Sequence, residues 1–448
     1  MKTIHLPEAV QEIIHTLNRA GFEAYIVGGC VRDSLLGREP KDWDITTSAR
    51  PEEVKALFPH TFDTGIKHGT VTVRRGGASY EVTTYRVDGN YTDHRRPDQV
   101  AFSSNLREDL LRRDFTINAM AYHPEHGLVD LYQGLEDLER GTIRCVGNAA
   151  DRFQEDALRM LRALRFSAQL GFSIDPVTYQ AIGILKALIR HVSWERIRDE
   201  MTKILISDHP EVLRQAYDTG LTQYILPEWK AMVETDQHHP YHAYTVAEHT
   251  IKAVQAIEAD PVLRWTMLLH DIGKPAAHTV DTAGVDHFVG HVEEGIVLAG
   301  RVMNRFKFDN ASKNKILTLI RFHESHPILS HRFIRKIMAA VGPEQYLDLL
   351  KVQEADAKAK NPEYGQAELE IIRKSRLMYE EICKNGDPVS LKMLAVTGKD
   401  LIDIGFERGP GIGRILALLL DQVLEDPSLN RKEFLLEVAQ RLLDSGWL

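Results

Sequence analysis

Val27-Gly28-Gly29-Cys30-Val31-Arg32-Asp33-Ser34-Leu35-Leu36-Gly37, followed by Arg38-Glu39-Pro40-Lys41-Asp42-Trp43-Asp44-Ile45, joins a glycine pair to an aspartate pair through one short amphipathic segment. The preceding Ala24-Tyr25-Ile26-Val27 reads as a strand, and the glycines end it and open a helix. Backbone N–H groups without a Cβ in the way suit the approach of a triphosphate to Gly28 and Gly29, with Arg32 one turn inside to hold phosphate oxygens. In a strand, residues i and i+2 share a face, so Asp42 and Asp44 are expected side by side. Like charges that close repel unless a cation lies between them, and hard oxygen ligands suit Mg²⁺ or Mn²⁺. Glu81, in Ser79-Tyr80-Glu81-Val82 on a neighbouring strand, is the expected third catalytic carboxylate. A tight turn followed by a solvated acidic strand is the alternative for these residues taken alone.

At 448 residues the chain is long enough for two to four domains. A 43% hydrophobic, 27% charged composition is that of a soluble globular protein, and no apolar run reaches the roughly 20 residues a membrane span needs. The first residues lack the apolar core of a signal peptide, so a cytoplasmic location and no membrane partner are expected. Cys30, Cys145 and Cys383 are far apart and odd in number, which argues against a disulfide framework and a zinc finger. A net charge of -9 argues against indiscriminate coating of nucleic acid. Between Arg140 and Leu205, however, 11 Lys/Arg face 7 Asp/Glu. That belt suits one defined RNA or nucleotide surface, or a solvated helix face.

From residue 22 to 145 short β-branched or aromatic runs alternate with turns, and HGTVTVRRGGASYEVTTY is a hairpin with Gly76-Gly77 at its turn. From about Asp151 apolar residues recur at helical spacing, and the remainder is expected to be all helix. A polar stretch of about 25 residues, TYRVDGNYTDHRRPDQVAFSSNLRED, separates the head strands from the next motif and reads as a functional or disordered loop.

LLRRDFTINAMA (110 to 121) sets Arg112, Arg113, Asp114 and Asn118 within two turns. Adjacent arginines do not share a helix face, so a bend is expected there, where guanidinium groups can grip triphosphate or ribose; an Asp114 N-cap with surface arginines is the alternative. In EDALRMLRALRF (155 to 166), Asp156 and Arg159 are expected to project together from a helix, with Arg162 and Arg165 continuing at the same interval. Cytosine and adenine share an amine donor beside a ring-nitrogen acceptor. A carboxylate and an arginine would therefore admit CTP and ATP and reject GTP and UTP, whereas an i,i+3 salt bridge is the plainer reading.

In order, GGCVRDSLLG…DWDI, LLRRDFTINAMA and EDALRMLRALRF resemble the motifs of bacterial tRNA nucleotidyltransferases, the CCA-adding enzymes, and of the related bacterial poly(A) polymerases. The motif-bearing match spans roughly residues 20 to 205. The resemblance implies an α/β N-terminal head of the polymerase-β-like nucleotidyltransferase fold followed by all-α neck, body and tail. Expected limits are a head at 1–140, a neck at 141–235, an HD-containing body at 236–360 and a tail at 361–448. It also implies Mg²⁺ on Asp42 and Asp44, Arg112, Arg113, Asp114 and Asn118 at the ribose and triphosphate, and base choice by Asp156 and Arg159. HVSWERIRDEMTKIL (191 to 205) resembles the last neck motif, with Glu195, Arg196 and Glu200 as a bracing network. DGNYTDHRRPDQVAF resembles the loop of relatives that add the terminal A. The expected activity is template-independent CCA addition to tRNA from CTP and ATP; an A-adding enzyme and a poly(A) polymerase are the near alternatives.

YHAYTVAEHT, LLHDIGKP, FVGHVEEG and LIRFHESH resemble the HD metal-dependent phosphohydrolase pattern. Its order assigns His242, His270, Asp271 and Asp356 to one divalent ion of unknown identity, with His291 and His323 for a second. Adjacent His270-Asp271 on an apolar helix is costly to bury unless coordinated or paired. A hydrolase whose head only binds nucleotide is the rival reading. The late GPGIG segment reads as an RNA-phosphate contact or a plain turn.

Overall fold

The computed structural model describes residues 3–89, 100–237, 244–282, 284–325 and 328–445. The chain divides into two compact units, Met1–Pro227 and Glu228–Leu448.

In the first unit, a seven-stranded mixed sheet runs in the order β3-β4-β5-β2-β1-β8-β9. Its strands are β1 (Ala24–Val27), β2 (Asp44–Thr47), β3 (Thr61–Gly65), β4 (Thr70–Arg75), β5 (Ala78–Thr84), β8 (Met120–His123) and β9 (Gly127–Asp130); between β5 and β8 lie β6 (Arg86–Asp88) and β7 (Val100–Phe102). The β2–β5 pair is parallel and the other neighbours are antiparallel. Gly76 and Gly77 take φ of 59° and 82°, as the tight β4–β5 hairpin requires. The helix Glu8–Arg19 starts behind Pro7 and buries Val10, Ile13, Ile14 and Leu17, one face at helical spacing. The helix Leu106–Leu111 joins Val27 of β1 and Ala121 of β8 through the fully buried Leu110.

The polar loop after β5 has structured ends. β6 and β7 pair antiparallel, Arg86 opposite Phe102. Residues 90–99, which hold most of the DGNYTDHRRPDQVAF resemblance, lie outside the described residues. The expectation that everything beyond Asp151 is helical is also corrected. β10 (Thr142–Ile143) pairs in parallel with β11 (Ser173–Ile174). In the second unit β12 (Thr279–Val280) and β13 (Asp286–His287) form a short hairpin.

The second unit is otherwise helical. Asp260 caps the helix Pro261–Leu269 by accepting from the Leu263 N–H, and every residue from Leu263 to Leu269 is buried. A helix buried all round, and mostly apolar, lies in an interior, and it delivers His270 and Asp271 there, at 0% and 1% exposure. Towards the C-terminus, Leu401, Ile415, Leu419, Val423 and Leu435 form a separate core. Among the described residues no helix is long and apolar enough to cross a membrane.

Candidate functional sites

β1 stops at Val27, and the helix Gly29–Leu35 begins with Gly28 as its N-cap at φ 83°. A Cβ on Gly28 would stand 3.1 Å from Arg113 Nη1, and one on Gly29 would stand 3.6 Å from Arg32 Nη2. Two guanidinium groups therefore flank the glycine pair. Arg32 Nη1 donates to Asn118 Oδ1 at 2.7 Å, Asn118 Nδ2 donates to Asp114 Oδ1 at 3.1 Å, and Arg162 Nε donates to Asp114 Oδ2 at 2.8 Å. One hydrogen-bonded chain thus ties the glycine turn to the helix Leu158–Leu170. Burial opposes ionisation of Asp114, but Arg162 outweighs it and holds the carboxyl well below its usual range. The same carboxylate accepts from the Phe115 N–H, so it serves this network rather than a helix N-cap.

Arg112 closes the helix Leu106–Leu111 and Arg113 follows it, at the expected bend. Both reach back to Asp109, a residue the sequence reading passed over although its i,i+3 and i,i+4 spacing to the two arginines was visible.

Asp44 opens β2 opposite Glu81 on β5. Asp42 precedes the strand, which corrects the expectation of two aspartates within one strand. Asp44 keeps solvent exposure, yet its pKa is raised, first by partial desolvation and then by Glu81 and Asp42, with Arg113 opposing. Three carboxylates that repel one another on an open edge fit a divalent cation. Among the described residues they do not form a preassembled group with ligand atoms within 4.8 Å of one another.

The expected Asp156–Arg159 helical pair is absent. Asp156 ends the helix Ala149–Glu155 with an extended backbone, accepts from the Leu158 N–H, and is gripped by Arg196. Arg159 pairs with Glu155 and donates to the carbonyls of Arg152 and Arg112. The two base-selection candidates are thus each held by another partner, on adjoining segments. Arg165 differs from its expected place as well. It is 7% exposed, donates to Glu200 and Gln169, and lies 3.8 Å from the Phe166 ring centroid, so it braces the helix from inside. Arg196 and Glu200 form the expected bracing contacts.

In the second unit, His249, His270, Asp271, His291, His323 and Asp356 meet in the interior. His249 Nε2 lies 2.9 Å from Asp356 Oδ1 and 3.4 Å from Asp271 Oδ2, while His270 Nε2 lies 3.3 Å from Asp271 Oδ2. On the other side, His291 and His323 place Nε2 3.7 and 3.8 Å from Asp271 Oδ1. His270, His291 and His323 each direct Nδ1 at the backbone carbonyl three residues upstream, Met267, Phe288 and Ile320, at 2.7, 2.9 and 2.7 Å. A carbonyl only accepts, so each Nδ1 carries a proton and each Nε2 faces the carboxylates, placed to ligate a metal once it is unprotonated. His291 Nε2 is buried without a hydrogen-bond partner. The donor set, imidazole nitrogens around a shared carboxylate, fits a divalent transition metal. Burial works to lower the His270 pKa, but Asp271 and Asp356 push it up to about 10; burial and His270 push His323 down to about 4.

His242, expected as the first ligand, lies outside the described residues. The residue the sequence reading missed is His249, seven positions on in the same stretch. Its signal was a histidine on the buried face of Val246–Ala256, between Val246, Ala247, Thr250 and Ile251. The cluster adjoins an open cavity of about 860 Å³ lined by Lys274, Phe288, His291, Arg321 and Lys360 among others. Lys274 and Lys360 each contact a cluster carboxylate, Asp271 at 2.8 Å and Asp356 at 3.0 Å.

Three family models match the chain: the "Poly A polymerase head domain" over residues 24–144, the "Probable RNA and SrmB- binding site of polymerase A" over 171–233, and tRNA nucleotidyltransferase domain 2 over 295–439. The CCA-adding enzyme of Lactiplantibacillus plantarum is 36% identical over 449 residues, covering 98% of this chain and 97% of that one. That of Levilactobacillus brevis is 36% identical over 436 residues, covering 96% and 98%. The crystal structure of the Bacillus stearothermophilus CCA-adding enzyme in complex with CTP superposes with a TM-score of 0.73 at 30% identity, covering 98% of both chains. The head fold, the helical body and this similarity along nearly the whole length show that the chain belongs to the CCA-adding enzyme family.

Proposed function

We propose that this chain adds C, C and A in turn to the 3′ end of tRNA in the cytoplasm, using CTP and ATP and releasing pyrophosphate without a template. Family membership supports the activity, and one observation carries the assignment of the site. Asp44 and Glu81 stand in register on adjoining strands while Arg113 and Arg32 flank Gly28 and Gly29. Acidic ligands and a phosphate cradle therefore meet at one end of the sheet. Asp42 and Asp44, with Glu81 beside them, would hold Mg²⁺, which would supply positive charge to acidify the tRNA 3′-hydroxyl and offset phosphate charge. Arg113, Arg112 and Arg32 orient the triphosphate so that the α-phosphate faces the hydroxyl in line. Asn118, itself held by Asp114, holds Arg32, and the two polar side chains face the ribose. Asp156 accepts from the base amine and Arg159 donates to the ring nitrogen, a pattern common to cytosine and adenine. Arg162 and Arg165 act behind them through Asp114 and Glu200. The basic belt between Arg140 and Leu205 follows the acceptor arm by shape and phosphate contacts.

Incubating tRNA that lacks its 3′ CCA with labelled CTP alone and with ATP alone tests the reading. CTP alone should be incorporated. Incorporation of ATP alone, with none of CTP, would assign an A-adding enzyme or a poly(A) polymerase.

The second unit supports a second activity, hydrolysis of phosphate esters at a divalent metal. The favouring observation is the set of three histidines whose Nδ1 protons are tied to carbonyls, leaving Nε2 directed at Asp271. His249, His270, Asp271 and Asp356 would hold one ion, and His291 and His323, with Asp271 shared, a second. A divalent metal there would lower the pKa of water and offset phosphate charge. Lys274, Arg321 and Lys360 place positive charge along the cavity, where they would meet phosphate oxygens. Metal analysis and p-nitrophenyl phosphate hydrolysis, in the intact chain and in His270→Ala, Asp271→Ala, test this activity. Equal metal content in both would reject it.

A further inference from the structure

Asp109 is fully buried, at 0% exposure, in a chain where such a charge must be paired. Oδ1 accepts from Arg112 Nε at 3.0 Å and Nη2 at 2.7 Å. Oδ2 accepts from Arg113 Nη2 at 3.2 Å and from the Thr46 hydroxyl at 3.1 Å. Thr46 lies on β2, two residues after Asp44. The other terminal nitrogen of Arg113, Nη1, is the atom that stands over Gly28. One carboxylate therefore joins the strand that carries Asp44 to both arginines expected at the triphosphate. Burial opposes its ionisation, and Arg113 and Arg112 outweigh that and keep the pKa low.

We infer that Asp109 is a positioning residue for the nucleotide's phosphates: it fixes Arg112 and Arg113 in the orientation that meets the triphosphate and registers them against β2. Two adjacent long side chains would otherwise sample many rotamers, and ordering them would weaken binding. The same carboxylate also cancels about one of the two positive charges, which by itself opposes binding of an anion. Orientation and charge therefore predict opposite signs when the carboxylate is removed. Asp109 bonds the guanidinium groups of Arg112 and Arg113 and neither Asp156 nor Arg159, so its effect should be equal for CTP and ATP and absent for a nucleotide without the β- and γ-phosphates. This inference rests on the nucleotidyl-transfer reading only for its kinetic consequence; the binding consequence stands separately.

Calorimetric affinities for CTP, CMP and inorganic tripolyphosphate, measured on the full chain and on Asp109→Asn and Thr46→Val, test it. Asp109→Asn should weaken CTP and tripolyphosphate by about tenfold and CMP by less than about twofold. Thr46→Val, which keeps every charge, should weaken the same two ligands by a smaller factor of about two to three. In primer extension, Asp109→Asn should raise KM for CTP and ATP by a common factor and leave the preference for CTP over UTP in place. Tripolyphosphate binding as tight as in the unaltered chain, or tighter, would overturn the inference, as would equal losses for CTP and CMP. An unaltered chain that extends no tRNA yet shows these affinities would count against the nucleotidyl-transfer reading and not against this role of Asp109.

Discussion

Arg196 grips Asp156 across 40 residues of sequence, donating from Nη1 at 3.2 Å and Nη2 at 2.7 Å to its two carboxylate oxygens. Paired, planar contact fixes the carboxylate plane as well as its position. Arg196→Ala should release that plane and relax base choice, lowering the preference for CTP over UTP by about tenfold or more while KM for CTP rises less steeply. Misincorporation assays with each NTP check this. Arg196→Lys should restore little, because an ammonium lacks the fork.

Asp114 gives a pH prediction with a definite sign. Its folded pKa lies below the unfolded value of about 3.9, so its contribution is fully present above that value and is lost as pH falls through the folded one. Arg162→Leu leaves the buried carboxylate without its main partner and should destabilise the first unit by about 3 kcal/mol at pH 7. That penalty should shrink as pH falls, because burial raises the carboxyl's pKa once Arg162 is gone and a neutral Asp114 no longer needs the partner. Urea unfolding of both proteins at pH 7 and pH 3.5 measures the difference of differences.

Gly28 is constrained twice, by φ 83° and by Arg113 Nη1 in the space a Cβ would take. Gly28→Ala should therefore cost about 1 kcal/mol of stability from backbone strain. It should also displace Arg113, raising KM for CTP and ATP together. A substitution at Gly37, where φ is 72° but nothing stands within 4 Å, should carry the strain without the change in KM.

The histidine cluster predicts linkage between metal and stability. A divalent ion that binds the folded state alone raises Tm with its concentration. Mn²⁺ or Zn²⁺ should raise the Tm of the second unit, EDTA should reverse the rise, and His291→Ala should reduce it. Scanning calorimetry with metal titration reads all three.

Much of this was legible in the sequence because it is local. Gly76-Gly77 between β-branched runs can hardly be anything but a tight hairpin, and Asp44 beside Glu81 follows from two strands whose pattern is plain. The ordered motifs fixed the family. What was not legible depends on residues far apart in the chain. Asp156 and Arg159 look like a helical pair until Glu155 takes the arginine and Arg196 the aspartate, and no spacing rule foretells that exchange. Arg165 reads as one more cation in a basic stripe, yet the helix turns it inward onto Glu200. His249 was hidden among several histidines, and only the buried face of its helix sets it apart.

Product length at single-nucleotide resolution tests the central claim most directly. With tRNA lacking its 3′ CCA and all four NTPs present, the account predicts one product, extended by C, C and A and then no further. A ladder of added A, a product one A longer than the substrate, or U and G within the added end would contradict it.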